Sequence, residues 1–142
     1  TATKARFIGL LGEAGLREGR RVRWADSPSD EQLAALYRGA LCVVYCSLYE
    51  GFGLPVLEAM VQGAPIVTSA TTSTAEVAGQ AALLVDPLDV DAIAGGIARL
   101  LDDPDLAARL GEAARHQAAT FTWARTAEAM VGAYRDAMGG AT

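Results

Sequence analysis

Apolar residues recur along this chain in two rhythms, one spaced for helices and one run together for strands. Phe7, Leu10, Leu11 and Ala14 share a helical face, which predicts a helix over Lys4–Ala14 with Gly15 as its left-handed cap. Val22-Arg23-Trp24 is a short strand candidate. Ser29 and Gln32 have the spacing of a capping box, opening a helix to Arg38 whose apolar face is Leu33, Leu36, Tyr37 and Ala40. Leu41-Cys42-Val43-Val44-Tyr45-Cys46 is nearly unbroken and reads as a buried parallel strand. A helix follows, with Pro55 at its start and Gly63 before Ala64-Pro65 as its stop. Pro65–Ser69 and Ala82–Val85 read as further strands. Ser73 with Glu76 forms a second capping box, Asp89 caps a helix to Leu101, and Asp103-Pro104 starts another. Thr122 caps the last helix, where Ala127, Met130, Val131, Tyr134 and Met138 share a face and Gly139-Gly140 ends the run.

Strands that alternate with helices, without hairpin turns, predict an α/β domain: a parallel sheet with flanking helices and right-handed crossovers. Residues 1–142 are one domain, with no internal repeat, linker or low-complexity segment. A hydrophobic content of 51% with 20% charged residues is that of an ordinary globular chain. The net charge of −5 argues against a nucleic-acid partner, which needs clustered Lys and Arg. Arg17, Arg20, Arg21 and Arg23 do cluster. Their plain reading is a solvated edge; the alternative is a membrane-surface patch, which would suit a lipid-linked acceptor and peripheral association. No apolar run reaches the roughly 18 residues of a membrane span, and no charged-then-apolar leader opens the chain, so a cytoplasmic protein is expected. Cys42 and Cys46 would lie roughly 13 Å apart in one strand, too far to bridge, and are expected as small buried residues in a reducing compartment. His116 is the single histidine and reads as a surface residue; no Cys-x-x-Cys or Asp-x-Asp occurs, so no metal site is expected.

The candidate chemistry sits in Glu50-Gly51-Phe52-Gly53-Leu54-Pro55-Val56-Leu57-Glu58, between a predicted strand and a predicted helix. In open α/β sheets, ligands bind at the carboxyl ends of the strands, and a helix N-terminus there suits a phosphate. A carboxylate is a good bidentate acceptor for neighbouring sugar hydroxyls. Two carboxylates at the ends of one loop suit a ligand with two polyols, and a nucleotide sugar has two, its ribose and its hexose. Gly51 and Gly53 let the backbone approach such a ligand closely. Plainer readings stand beside this: Glu58 as an acid favoured by a helix start, and Glu50 as a solvated loop acid. A glycoside hydrolase is a second class, since its two carboxylates lie roughly 5 to 10 Å apart. A dinucleotide fingerprint fails, because Val56 stands where its third glycine belongs and no acid ends Ile66–Ser69. A non-catalytic interaction module is a further alternative. Thr71, Thr72, Ser73 and Thr74 could donate to phosphate near the next helix start, or form only loop and cap, with Glu76 as the cap's partner.

The stretch closely resembles the E-x7-E signature of the group 1 retaining glycosyltransferases with the GT-B fold. Ser47–Met60, Gly63–Ser69, Glu76–Gly79 and Ala81–Pro87 match that family nearly residue for residue, and Phe121-Thr122-Trp123 resembles its late Phe-Ser/Thr-Trp. The resemblance implies the C-terminal, nucleotide-sugar-binding lobe of a two-lobed enzyme. That enzyme would move a hexose with retention from GDP-mannose or a UDP-hexose, with a lean to mannose, to a glycan or lipid-linked acceptor. It implies a role in cell-surface polysaccharide or glycolipid synthesis at the inner face of the membrane, with no cofactor and no protein-held metal. Residue by residue, it implies Glu50 as the catalytic residue, in contact with the donor hexose. Gly51, Phe52, Gly53 and Leu54 would contact hexose and diphosphate, Glu58 the ribose, and Thr72 and Ser73 a phosphate loop. The family lobe has a Rossmann-like parallel sheet of about six strands ordered 3-2-1-4-5-6, with flanking helices. The first two, with the basic residues for the diphosphate, have no match in this sequence, nor has the acceptor lobe. With Thr1-Ala2-Thr3 at its start, the sequence is therefore expected to be a truncated fragment, inactive by itself.

Overall fold

A computed structural model of the chain describes residues 2–16, 19 and 22–139. They divide into two compact units, Thr1–Leu33 and Ala34–Thr142. In the first, α1 (Ala2–Glu13) ends as the glycine predicts. Gly15 takes φ 69, its N–H donates to Gly12, and the Leu16 N–H donates to Leu11, the paired bonds of a Schellman turn. Val22–Trp24 forms no strand of the sheet, contrary to expectation. Trp24 is used otherwise: its ring lies 5.5 Å from that of Phe7 and under the Lys4 ammonium, so its apolar surface is covered by α1 and not by a ladder. The capping box forms as predicted. Ser29 N–H donates to Gln32 Oε1 at 3.0 Å and Gln32 N–H to Ser29 Oγ at 3.3 Å, starting α2 (Asp30–Gly39), within which the unit boundary falls. Leu36 is 56% exposed, so the inward face of α2 is narrower than its periodicity suggested. Of the basic cluster only Arg23, which is exposed, lies among the described residues.

The second unit carries β1 (Val43–Tyr45), α3 (Leu54–Val61), β2 (Ile66–Ser69), α4 (Thr72–Ala78), β3 (Leu83–Val85), α5 (Val90–Asp102), α6 (Pro104–Ala118) and α7 (Trp123–Gly139). The three strands form a parallel sheet in the order β1-β2-β3, with Val44 opposite Val67 and Val67 opposite Leu83. The order follows from two short crossovers through α3 and α4. One face is closed by Val56, Ala59 and Met60 of α3, Val77 and Ala78 of α4, and Ala114 and Ala118 of α6, packed over Ile66. So many alanines let three helices approach one strand closely. On the other face α5 comes close through Gly96, where a Cβ would sit 3.1 Å from Val67.

The fully buried strand is β2, not β1. Helices cover β2 on both faces, whereas Val44 of β1 stays 44% exposed and Leu41 76%. Cys42 and Cys46 are accordingly half-buried free thiols, both pushed up in pKa mainly by burial. The predicted face of α7 forms, yet Met130, Val131, Tyr134 and Met138 are all exposed.

Local caps behave as the sequence dictates. Asp89 Oδ1 accepts from Ala92 N–H, Asp103 Oδ1 from Leu106 N–H, and Thr122 Oγ1 from Arg125 N–H. Asp103 serves twice, ending α5 and opening α6. Asp103→Ala is expected to cost about 1 kcal/mol, read as a lower urea midpoint with an unchanged slope.

Candidate functional site

The three helices that follow the strands all begin at the carboxyl edge of the sheet, and the Glu50–Glu58 stretch runs along that edge after β1. Gly53 is the pivot. It caps α3 with φ 93 and ψ 44, is buried, and its carbonyl accepts from the N–H groups of Val56 and Leu57. This left-handed turn, with Pro55 in the first helical turn, swings the chain from loop to helix; Pro55 has no N–H and those of Val56 and Leu57 are taken by Gly53, which leaves the Leu54 N–H as the donor at the helix start. Because the helix starts at Leu54 and not at Pro55, Glu58 stands one residue further in than the sequence suggested, just past the first turn. Its side chain is exposed. Phe52 and Leu54 are 42% and 58% exposed, and Gly51 is also open.

The loop is held from behind by three hydroxyls. Thr68 Oγ1 donates to the Tyr45 carbonyl at 2.7 Å, Ser69 Oγ to that of Ser47 at 2.5 Å, and Ser73 Oγ to that of Glu50 at 2.8 Å. Side chains of β2 and α4 thus bond the main chain of β1 and its loop at three successive points. The expected Ser73–Glu76 capping box does not form. Thr71 is the cap residue and makes no side-chain cap bond, Ser73 lies inside α4, and Glu76 is exposed. The reason is position: α4 starts at Thr72, so Ser73 is helical and its oxygen is not at the cap, and its proton goes instead to the Glu50 carbonyl, 23 residues away in sequence. Thr74, fully buried, donates to the carbonyls of Ser69 and Thr71 and fixes the α4 start, where Thr72 is held at φ 61.

Glu50 itself is pinned. The Tyr45 phenol donates to its Oε1 at 2.6 Å. This bond, helped by the Ser47 hydroxyl, holds the Glu50 carboxyl below its usual range, and the same bond with partial burial pushes Tyr45 up to about 12. At the other glutamate, the Tyr37 phenol is pushed up by burial and by the charge of Glu58. A tyrosine therefore stands beside each motif acid, and sequence reasoning missed both. The available signal was a lone tyrosine in an aliphatic strand, whose polar tip needs a partner when the ring is buried. Phe121 was also missed as a support. Its ring packs on the core and meets Phe52 edge-on at 5.9 Å, steadying the glycine loop. Trp123 is 89% exposed, and His116 is exposed in the last turn of α6.

A cavity of about 420 Å³ lies at the opposite edge of the sheet, lined by Leu41, Pro65, Leu100, Pro104, Ala108 and Arg115. None of the motif residues lines it, so the candidate site is an open loop surface and not this cleft. Among the described residues, no group of His, Cys, Asp and Glu is placed to hold a metal, and no helix is long and apolar enough to cross a membrane.

Three comparisons bear on this arrangement. Residues 3–117 match the family model described as glycosyl transferases group 1. The chain is 44% identical over 128 residues to the O-antigen chain mannosyltransferase B of Escherichia coli, covering 88% of this chain and 32% of that protein. It is 41% identical to the MMP alpha-(1->4)-mannosyltransferase of Mycolicibacterium hassiacum, covering 91% of this chain and 32% of that one. Among solved structures, the sucrose-phosphate synthase of Thermosynechococcus elongatus superposes with a TM-score of 0.83 at 35% identity, over 99% of this chain and 35% of that chain. The chain thus spans about a third of the length of the relatives it matches.

Proposed function

The chain belongs to the group 1 glycosyl transferases, with the Rossmann-like α/β lobe of a GT-B fold, and on that footing we propose that it forms the donor-binding part of a retaining hexosyltransferase. The donor is a nucleoside diphosphate sugar, GDP-mannose before a UDP-hexose, and the acceptor is a glycan or lipid-linked hydroxyl in cell-surface polysaccharide or glycolipid synthesis. The preference for mannose is supported by two relatives named as mannosyltransferases. The enzyme would work at the cytoplasmic side of the membrane, without a cofactor.

The observation that carries this reading is the geometry around Gly53: a buried left-handed turn, an open helix start, and one carboxylate on each side of it. Glu50 takes the hexose hydroxyls as the catalytic carboxylate of the site, and Glu58 takes the ribose. The backbone at Gly51, Phe52, Gly53 and Leu54 meets the hexose and diphosphate, where the N–H groups of this loop and the helix dipole offset negative charge. Thr72, which is exposed, and Ser73 stand on the phosphate side. The Ser73 proton is already committed to Glu50, so that residue contributes position more than charge neutralisation.

The test is a thermal melt of the chain with UDP, GDP, UDP-glucose, GDP-mannose or NAD. A rise with one nucleotide sugar is the expected result and names the base. A rise with NAD alone would overturn the reading. In the same assay Glu58→Ala is expected to leave the ligand-free midpoint unchanged, because the side chain is exposed. It should weaken donor binding by about 1–3 kcal/mol, the cost of hydrogen bonds lost to a charged group. Unchanged donor affinity would remove Glu58 from the ribose.

A further inference from the structure

We propose that Tyr45 is the positioning residue of the site: its phenol, anchored in the core through β1, holds the Glu50 carboxylate in the place where it meets the donor hexose. This deepens the donor-site reading and rests on it. A carboxylate on a solvated loop would sample many rotamers and lose them on binding. Here the two partners are fixed before any ligand arrives.

The Tyr45 ring packs against the cluster built by α3, α4 and α6, and it carries only two rotatable side-chain bonds. Its main chain is held by Thr68, and that of Glu50 by Ser73. Between these two clamped points runs the 2.6 Å bond, in the short range of charge-assisted O–H···O⁻ contacts. One carboxylate oxygen is thereby spent on the protein, and the orientation of the whole group follows from the phenol. The perturbed ionisation of the pair agrees with the geometry. Other groups that act on the pair are the Ser47 hydroxyl on Glu50 and the Tyr37 phenol of α2 on Tyr45, with Glu58 acting in turn on Tyr37. The bond is made by a neutral phenol and an ionised carboxylate. It therefore supports the fold between the ordinary carboxylate range and about pH 10. It is lost as pH falls through the lowered value of Glu50 or rises through the value near 12 of Tyr45.

The experiment uses Tyr45→Phe, which keeps the ring and removes only the donor. In the ligand-free chain, carboxyl-carbon NMR should show Glu50 titrating below its usual range in the wild type and returning to it in the variant. An unchanged Glu50 midpoint would overturn the proposal. Glu50→Gln provides the reciprocal reading: the Tyr45 phenol should fall from about 12 towards the ordinary value near 10. Binding separates positioning from simple support. Tyr45→Phe should weaken GDP-mannose or UDP-glucose by about three- to tenfold while leaving GDP and UDP unchanged, and should add nothing in a Glu50→Gln background. Equal loss for sugar nucleotide and free nucleotide would mean a structural role and would overturn the proposal. If the wild type binds none of the four probes, the donor-site reading falls and the proposal with it, even where the titration shows that Tyr45 holds Glu50.

Discussion

Gly111→Ala is expected to destabilise the second unit by about 2–3 kcal/mol, against the usual gain from replacing glycine in a helix. The reason is a backbone contact. A Cβ at Gly111 of α6 would lie 2.5 Å from the carbonyl oxygen of Gly63. That carbonyl cannot easily retreat, because Gly63 sits at φ 71 in the turn that ends α3. Its N–H donates to Met60, and the next N–H, of Ala64, donates to Ala59. Ala59 and Met60 are fully buried and face Ala114 and Ala118 across the same contact. Moving α6 outward would open the core beside Met60; moving the turn would break the Schellman bonds. The measurement is urea unfolding with Gly95→Ala of α5 as control, where a Cβ meets nothing within 4 Å. The control should gain up to about 1 kcal/mol and Gly111→Ala should lose. A gain at both positions would mean that α6 does not rest on the Gly63 turn.

Gly53→Val should cost both stability and ligand binding. At φ 93 a β-branched residue is strained by about 1–3 kcal/mol. Space is short as well: a Cβ would lie 3.2 Å from Thr74 Cγ2, and Thr74 is fully buried and bonded to two carbonyls, so it yields little. The same turn places the Leu54 N–H at the start of α3, so donor affinity should fall by more than about tenfold even where the variant is folded. The urea midpoint and the dissociation constant for GDP-mannose check the two halves separately. A destabilised variant that binds normally would detach the turn from the donor site.

These two glycines differ in how they could be read. Gly53 stands out in the sequence because it lies between two acids and near a proline, where a close approach of the backbone to a ligand is expected. Gly111 sits unremarked in a helical pattern, and its role exists only because α6 folds back onto the end of α3. The same division runs through the site. Glu50 and Glu58 are legible by spacing, whereas Tyr45, Phe121 and the hydroxyls of Thr68, Ser69 and Ser73 acquire their roles from partners elsewhere in the chain. Ser73 shows why reading stops there. Its spacing to Glu76 satisfies a local rule, but the helix starts one residue earlier, at Thr72, and the hydroxyl donates to a carbonyl brought in from another loop. The strand at Val22–Trp24 failed for a related reason, since a strand needs a neighbour and Trp24 found Phe7.

Interactions within a few residues were settled by the amino-acid order alone: the caps at Ser29, Asp89, Asp103 and Thr122, the glycine turns at Gly15 and Gly63, and the alternation of strand and helix. Each is closed by atoms close in the chain, so its geometry is implied by spacing. Packing decided the rest. It determined which strand is buried on both faces, which carbonyl receives the Ser73 hydroxyl, and how Glu50 is aimed, because each depends on surfaces that only the folded sheet and its helices bring together.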